Sequence, residues 1–281
     1  MLTRSGYDPT FLPVDVPLPQ PAAPTGPRLV ELPYTHFTVL LRPDRRLAAA
    51  TVVMIDGEHL VDLDRTGTRW RLDPRVPGSA QAGAEVYARN DLDRGHLVRR
   101  RDPVWGSAET AATANADTFF YTNAAPQVAA FNQSKDLWLG LEDHLLDHAG
   151  ATASRLTVLT GPVLADDDPT YRGLPLPRAF WKVAAWVRPD GLAATAYLLD
   201  QSELLAAFLE ADRGEGTSPS GLGAYRTFQV PVDDVARTTG LDLGPLTAAD
   251  RLLAVDVVLR RAGVREPRGR FELTALDQVV L

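Results

Sequence analysis

Asn90-Asp91-Leu92-Asp93-Arg94-Gly95-His96-Leu97-Val98-Arg99-Arg100 sets a single imidazole among carboxylates and guanidiniums, with a glycine just before it. Imidazole is the side chain whose ordinary pKa lies nearest neutral pH, which suits a general base. The planar fork of arginine suits a phosphate, because it makes two parallel charge-assisted hydrogen bonds. The glycine permits close backbone approach. Leu92 to Val98 reads as a short extended segment. Taken alone, a histidine in such a setting is more often structural or solvated, so composition leaves both readings open.

Outward from this centre the chain alternates between strand and helix patterns. His36 to Leu41 reads as a strand, Arg42-Pro43-Asp44-Arg45 as a turn, Leu47 to Ile55 as a second strand and Asp56-Gly57 as another turn. Residues 67–90 are rich in turn residues and show no period. Ser107 to Ala116 is Ala-rich and reads as a helix with Ser107 as N-cap. Thr118 to Thr122 is a β-type run. Ser134 to Ala149 has the helical period, with Leu137, Leu141 and Leu145 on one face. Arg155 to Leu164, Phe180 to Arg188 and Leu192 to Leu199 read as strands. Ser202 to Ala211 and Asp233 to Thr239 read as helices, the second closed by Gly240, and Arg213 to Gly223 as a Gly/Ser-rich loop. The sum is an α+β chain with a mostly antiparallel sheet core. Residues 1–33 are Pro-rich and aperiodic, and are expected to form an arm lying on the surface. Residues 34–281 are expected to form one domain.

The 281 residues are 45% hydrophobic and 23% charged, enough to bury a sizeable core. There are no cysteines, which excludes disulfides, thiolate-held zinc and thiol nucleophiles. A phosphate loop of the GxxxxGK[ST] type, an HExxH helix and a GxSxG elbow are all missing from the sequence. No apolar stretch is long enough for a membrane helix, and the N-terminus lacks the apolar core of a signal peptide. The expectation is a soluble protein with no membrane partner, either cytoplasmic or a mature secreted form. The net charge is −7 and the pI about 5.3. That balance counts mildly against a non-specific nucleic-acid binder, which is usually basic. A local basic cluster, Arg94 with Arg99, Arg100 and Arg101, can still meet phosphate on an acidic protein.

Asp93-Arg94-Gly95-His96 resembles the signature of the DNA/RNA non-specific endonuclease family, the endonuclease-G-like ββα-metal (His-Me finger) nucleases. The resemblance continues in order. Asn123-Ala124-Ala125-Pro126-Gln127 is similar to the family's Asn-x-x-Pro-Gln, Phe131-Asn132-Gln133 to its Asn-Gln, and Trp138-Leu139-Gly140-Leu141-Glu142 to its Trp-x-x-Leu-Glu. Thr160-Gly161-Pro162-Val163 and Pro177 to Val183 resemble its later core strands. Gly6-Tyr7-Asp8-Pro9 through Pro17-Leu18-Pro19 resembles a bacterial branch. The match runs from about residue 6 to at least 200. Asn132 and Glu142 stand two residues further apart than in many members, and the extra residues fall around Ser134 to Asp136.

The resemblance implies a metal-dependent, sugar-non-specific endonuclease acting on DNA and RNA. It implies His96 as general base, Asn132 as the direct protein ligand of one Mg²⁺ (with Mn²⁺ as a substitute), and Glu142 acting on the ion through water. It implies Asn123 binding phosphate or orienting the site, Arg94 steadying the phosphate, and Arg46 stabilising the transition state. It also implies a homodimer, with the arm available to cover a neighbour, and leaves open an inhibitor protein as partner. The rival from another class is a catalytically silent nucleic-acid-binding or scaffold protein on the same fold. Other candidates have plainer readings. His144 and His148 suit a solvated helix face better than zinc. Asp166-Asp167-Asp168 suits an exposed turn better than calcium. Trp70 and Trp105 offer faces for base stacking, whereas Trp181 and Trp186 read as core. Arg99 to Arg101 read equally as a phosphate track or a charged loop.

Overall fold

Leu47–Asp56, ten residues of Ala, Val, Met and Ile character, is buried at every position. A strand covered on both faces needs such a continuous apolar run. The computed structural model describes residues 4–63, 68–129, 154–214, 226–253 and 271–273. In chain order the strands are β1 Gln20–Pro21, β2 Val30–Tyr34, β3 Phe37–Arg42, β4 Leu47–Asp56, β5 Leu92–His96, β6 Ala124–Val128 and β7 Arg155–Val163. They continue as β8 Thr170–Tyr171, β9 Leu174–Pro175, β10 Ala179–Arg188, β11 Gly191–Asp200, β12 Arg226–Val230, β13 Leu241–Asp242 and β14 Phe271–Leu273. The helices are α1 Ala84–Tyr87, α2 Ala108–Asp117, α3 Ser202–Asp212 and α4 Val232–Thr239.

Among the described residues, eight strands form one sheet in the order β14-β12-β11-β10-β7-β4-β3-β2. Every pairing within it is antiparallel. The period-two alternation of strand side chains divides its apolar residues between two cores. One face carries Val53, Ile55, Phe180, Tyr197 and Leu199, packed with Leu92, Leu97, Val98, Tyr121 and Phe208. The other carries Val52, Leu159, Trp181, Val183 and Leu198, packed with Tyr7, Phe11, Val16, Val232 and Val235. β5 and β6 pair only with each other and ride on the first face. Among the described residues no helix is long and apolar enough to cross a membrane.

Several expectations are revised. The arm does not simply lie on the surface: Tyr7, Phe11, Leu12 and Val16 are buried against the second face, β1 pairs with β13, and residue 33 falls inside β2. Apolar residues scattered among prolines give no period to read, yet each can still bury its side chain. The Tyr7 hydroxyl donates to Val16 O at 2.9 Å, and burial pushes its pKa up to about 12. Thr118 to Thr122 survives as strand only in an isolated bridge between Arg71 and Phe120; Tyr121–Asn123 closes a 3-10 turn and the strand begins at Ala124. Asp168 turns inward rather than outward, accepting from Arg45 Nη2 at 2.7 Å and Ala165 N at 3.0 Å, while Asp166 and Asp167 stay exposed. The Ser134–Ala149 helix, His144, His148 and most of the Arg213–Gly223 loop lie outside the described residues.

His36 at the β2–β3 turn sits in the left-handed region, with φ 68°. Its ring stacks on Trp105 at 3.4 Å and 5°. Its Nδ1 lies 2.8 Å from Pro103 O, and because a carbonyl only accepts, that nitrogen carries the proton. Burial lowers the imidazole's pKa, against the opposing pull of Pro103 O. The unfolded chain therefore takes up a proton near pH 6.5 that the folded chain takes up only at lower pH, so stability is full above about 6.5 and falls as the medium is acidified. His36→Asn keeps a residue tolerant of positive φ and removes the titration. Its melting temperature should drop less than that of the parent between about pH 7 and pH 5. An equal drop in both proteins would remove His36 as the cause.

Candidate active site

β5 and β6 form a two-stranded antiparallel ribbon that pairs Asp93 with Gln127, Arg94 with Pro126, Gly95 with Ala125 and His96 with Ala124. Strand alternation places Arg94 and His96 on one side of the ribbon. Arg94 is exposed and His96 partly so. Gly95 is fixed by its surroundings: a Cβ there would lie 2.2 Å from Cδ and Oε1 of the buried Gln127 side chain. Only a residue without a side chain lets Gln127 cross the ribbon.

The chain leaving His96 is held by Asn123, itself fully buried. Val98 N donates to Asn123 Oδ1 at 2.8 Å, and Asn123 Nδ2 donates to Val98 O at 2.9 Å and to Thr118 O at 3.0 Å. Leu97 N donates to Asn123 O at 3.0 Å. The carboxamide thus has its oxygen and both protons engaged with backbone.

Around His96 lies a set of rings. Trp70 is 4.7 Å from it, tilted by 46°, and Phe119 meets it edge-on at 5.0 Å and 88°. Trp70 also contacts Tyr121 at 5.7 Å, and Tyr121 stacks on Tyr87 at 6.0 Å. The Arg94 guanidinium lies 5.5 Å above the Tyr87 ring, close enough for a cation–π contact. An aromatic row therefore runs from His96 to the ring beneath Arg94. Burial pushes the Tyr87 hydroxyl far above the usual tyrosine range. The sequence singled out Trp70 only as a stacking face; Phe119 and Tyr121 were hidden in what reads as a plain β-type run, and Tyr87 in a segment without a readable period.

Arg46, at φ 58°, reaches α1: its Nη2 lies 2.5 Å from Glu85 Oε1 and 3.0 Å from Gln81 O. Burial would raise the Glu85 carboxyl, but bonds from backbone amides and Arg46 leave it below the usual range. Arg46 is thus tied to the short helix that carries Tyr87. The basic cluster divides. Arg100 Nη1 donates to Leu63 O at 2.9 Å, so this arginine ties loops together, whereas Arg101 is exposed. Asn132 and Glu142 lie outside the described residues. Among the described residues no group of three or more His, Cys, Asp or Glu could hold a metal ion.

A family model described as DNA/RNA non-specific endonuclease matches residues 17–250. The chain is 39% identical over 274 residues to the y4fB protein of Sinorhizobium fredii, covering 90% of this chain and 40% of that protein. It is 23% identical to the mitochondrial nuclease EXOG of Mus musculus, over 75% of this chain and 56% of the relative. It is 26% identical to the mitochondrial nuclease of Saccharomyces cerevisiae, over 64% of this chain and 54% of the relative. The chain thus spans about half the length of these relatives, or less. Among solved structures, a chain of the EndoG/EndoGI complex superposes with TM-score 0.56 at 21% identity, covering 78% of this chain and 86% of that one. The fold is that of EndoG, an α+β ββα-metal nuclease fold built on an antiparallel sheet.

Removing the Asn123 carboxamide leaves Val98 N, Val98 O and Thr118 O without the partner each has now, and unmade buried hydrogen bonds cost about 1–3 kcal/mol apiece. With partial relaxation, Asn123→Ala should lose about 2–5 kcal/mol of stability in urea unfolding. A loss below about 1 kcal/mol would show that the clamp is dispensable.

Proposed function

The chain belongs to the DNA/RNA non-specific endonuclease family, and from that premise we propose that it hydrolyses phosphodiester bonds of DNA and RNA with His96 as general base. The observation that carries the reading is the β5–β6 register, which sets His96 and Arg94 side by side on one face of a rigid ribbon. A ring nitrogen of His96 accepts a proton from the attacking water as its oxygen bonds to phosphorus and the bond to the 3′-oxygen breaks. Arg94 lies over the Tyr87 ring and offers a bidentate grip on the non-bridging oxygens. Arg46 approaches from the α1 side, oriented by Glu85, and adds charge that opposes the build-up on phosphate. Asn123 holds His96 in place through Leu97 and Val98 and touches no substrate. Contacts of this kind go to phosphate, so neither base nor sugar is selected.

The family implies a divalent metal, and we assign it as Mg²⁺, replaceable by Mn²⁺. Asn132 is its direct ligand and Glu142 acts on it through water. One carboxamide oxygen completed by waters and phosphate oxygens is the hard-oxygen shell Mg²⁺ prefers, and such a site requires no acidic or histidine cluster. When bound, the ion supplies positive charge to the leaving oxygen. The same reading includes a homodimer. Tyr7, Phe11, Leu12 and Val16 of the N-terminal arm are buried within their own chain and so are not available to cover a neighbour. It also includes an inhibitor protein, by analogy with the complex that EndoG forms with EndoGI.

Purified protein incubated with plasmid and RNA should cut both in Mg²⁺ and neither in EDTA. His96→Ala should fold, bind nucleic acid and lose about 10²–10⁴-fold in rate. Asn132→Ala should need more Mg²⁺ and recover partly when it is supplied. Near-parental cleavage by folded His96→Ala would sink the mechanism, and binding without cutting by the parent protein would favour the silent alternative.

Affinity should also fall with salt, with each neutralised phosphate adding roughly 0.7–0.9 to the slope of log affinity against log salt. Since Arg100 is bonded to Leu63 O and Arg94 and Arg101 are exposed, Arg94→Ala and Arg101→Ala should each flatten the slope by about one such increment. Arg100→Ala should change stability more than slope. A salt-independent affinity would show that this cluster is not the binding surface.

A further inference from the structure

Trp70 has no part in that mechanism, yet it packs directly on His96. The placement is fixed from the backbone: Arg71 N donates to Phe119 O at 3.0 Å and Tyr121 N to Arg71 O at 2.9 Å. These bonds hold residues 70–71 against 119–121 in a strand-like pairing, so neighbouring side chains turn opposite ways. Arg71 turns to the Phe120 ring at 4.0 Å, and Trp70 turns to Phe119, Tyr121 and His96 at 5.3, 5.7 and 4.7 Å. Phe119 meets His96 edge-on, so the imidazole is bounded by an indole face on one side and a phenyl ring on another.

We infer that Trp70 is a positioning residue for His96: with Phe119 it fixes the plane of the imidazole, and its ring stabilises the imidazolium created when His96 takes the proton from water. The inference rests on the reading of His96 as general base. An aromatic face attracts a cation far more than a neutral ring. Positive charge appears on His96 only as the proton moves, so the contact strengthens towards the transition state and acts on kcat rather than on KM. Holding the ring at one angle works in the same direction, because misplaced reacting groups are costly. Three ring contacts engage Trp70, but the side chain is only partly buried, so stacking on a substrate base is the competing use that the test must separate. Trp105 stacks with His36 and Phe11.

The test compares Trp70→Phe with Trp70→Leu, which fills space without a π face, on one plasmid substrate in Mg²⁺. Trp70→Met, a flexible filler, replaces the leucine variant if that protein does not fold. Trp70→Leu should lower kcat about tenfold (~1.4 kcal/mol) and leave KM within about twofold. Trp70→Phe should recover most of kcat. In a His96→Ala background Trp70→Leu should change the residual rate little, because residues acting as a unit are non-additive. A raised KM at unchanged kcat would overturn the inference in favour of base stacking. Equal loss in the phenylalanine and leucine variants, tracking their melting temperatures, would reduce Trp70 to core packing. If His96→Ala cuts like the parent, the general-base reading falls and the inference with it. If His96→Ala is inactive while Trp70→Leu is unaffected, the inference alone falls.

Discussion

Asn123 clamps together three stretches of chain around the ribbon that carries His96. Its carboxamide accepts from Val98 N and donates to Val98 O and Thr118 O, while its backbone carbonyl accepts from Leu97 N. The residues so joined are the exit from β5 just past His96, the end of α2 and the entry to β6. Such bonds are individually modest in water, but they are costly to leave unmade in a buried site. The junction fixes the backbone that leaves His96 beside the β5–β6 pairing. An apolar residue of similar size would fill the space and leave three backbone groups stranded.

The sheet behind the ribbon separates two duties. Its far face is closed by the N-terminal arm and by α4, whose apolar side chains complete an ordinary core. Its near face supports β5, β6 and α3, with Arg94 exposed on the ribbon. Charge follows the same division of labour. Several arginines are consumed inside the molecule: Arg45 on Asp168, Arg4 on Asp117, Arg75 on Asp73. At Asp73, burial alone would raise the carboxyl, but the bonds from Arg75 and Tyr34 bring it below the usual range. The net charge of −7 therefore says little about the ribbon, where Arg94 faces outward over an aromatic ring.

What the sequence made readable was local. The run Leu47 to Ile55 read as a strand, and the structure buries it at every position, as its apolar residues throughout allow. Ser107 capped α2 as expected, accepting from Thr110 N, and Gly240 closed α4 at φ 66°. His96 and Arg94 stood out because their chemistry is unusual in a short extended segment. The remainder depended on contacts distant in sequence. Asn123 bonds to Val98, and Trp70 finds His96 only because Arg71 is bridged to Phe120. No period or propensity encodes such pairs. The arm misled for a related reason: proline spacing hid Tyr7, Phe11, Leu12 and Val16, which carry the burial.

The arm also sets an order of events during synthesis. Pro21 pairs with Leu241, and Val16 shares its core with Val232, Val235 and Leu246. Val16 and Pro21 thus lack these partners until residues 232–246 have been translated. At about 5–20 residues per second, that wait is on the order of ten to forty seconds. During that interval the second core is only partly assembled, so the junction of the arm with residues 232–246 is a late-closing step of folding.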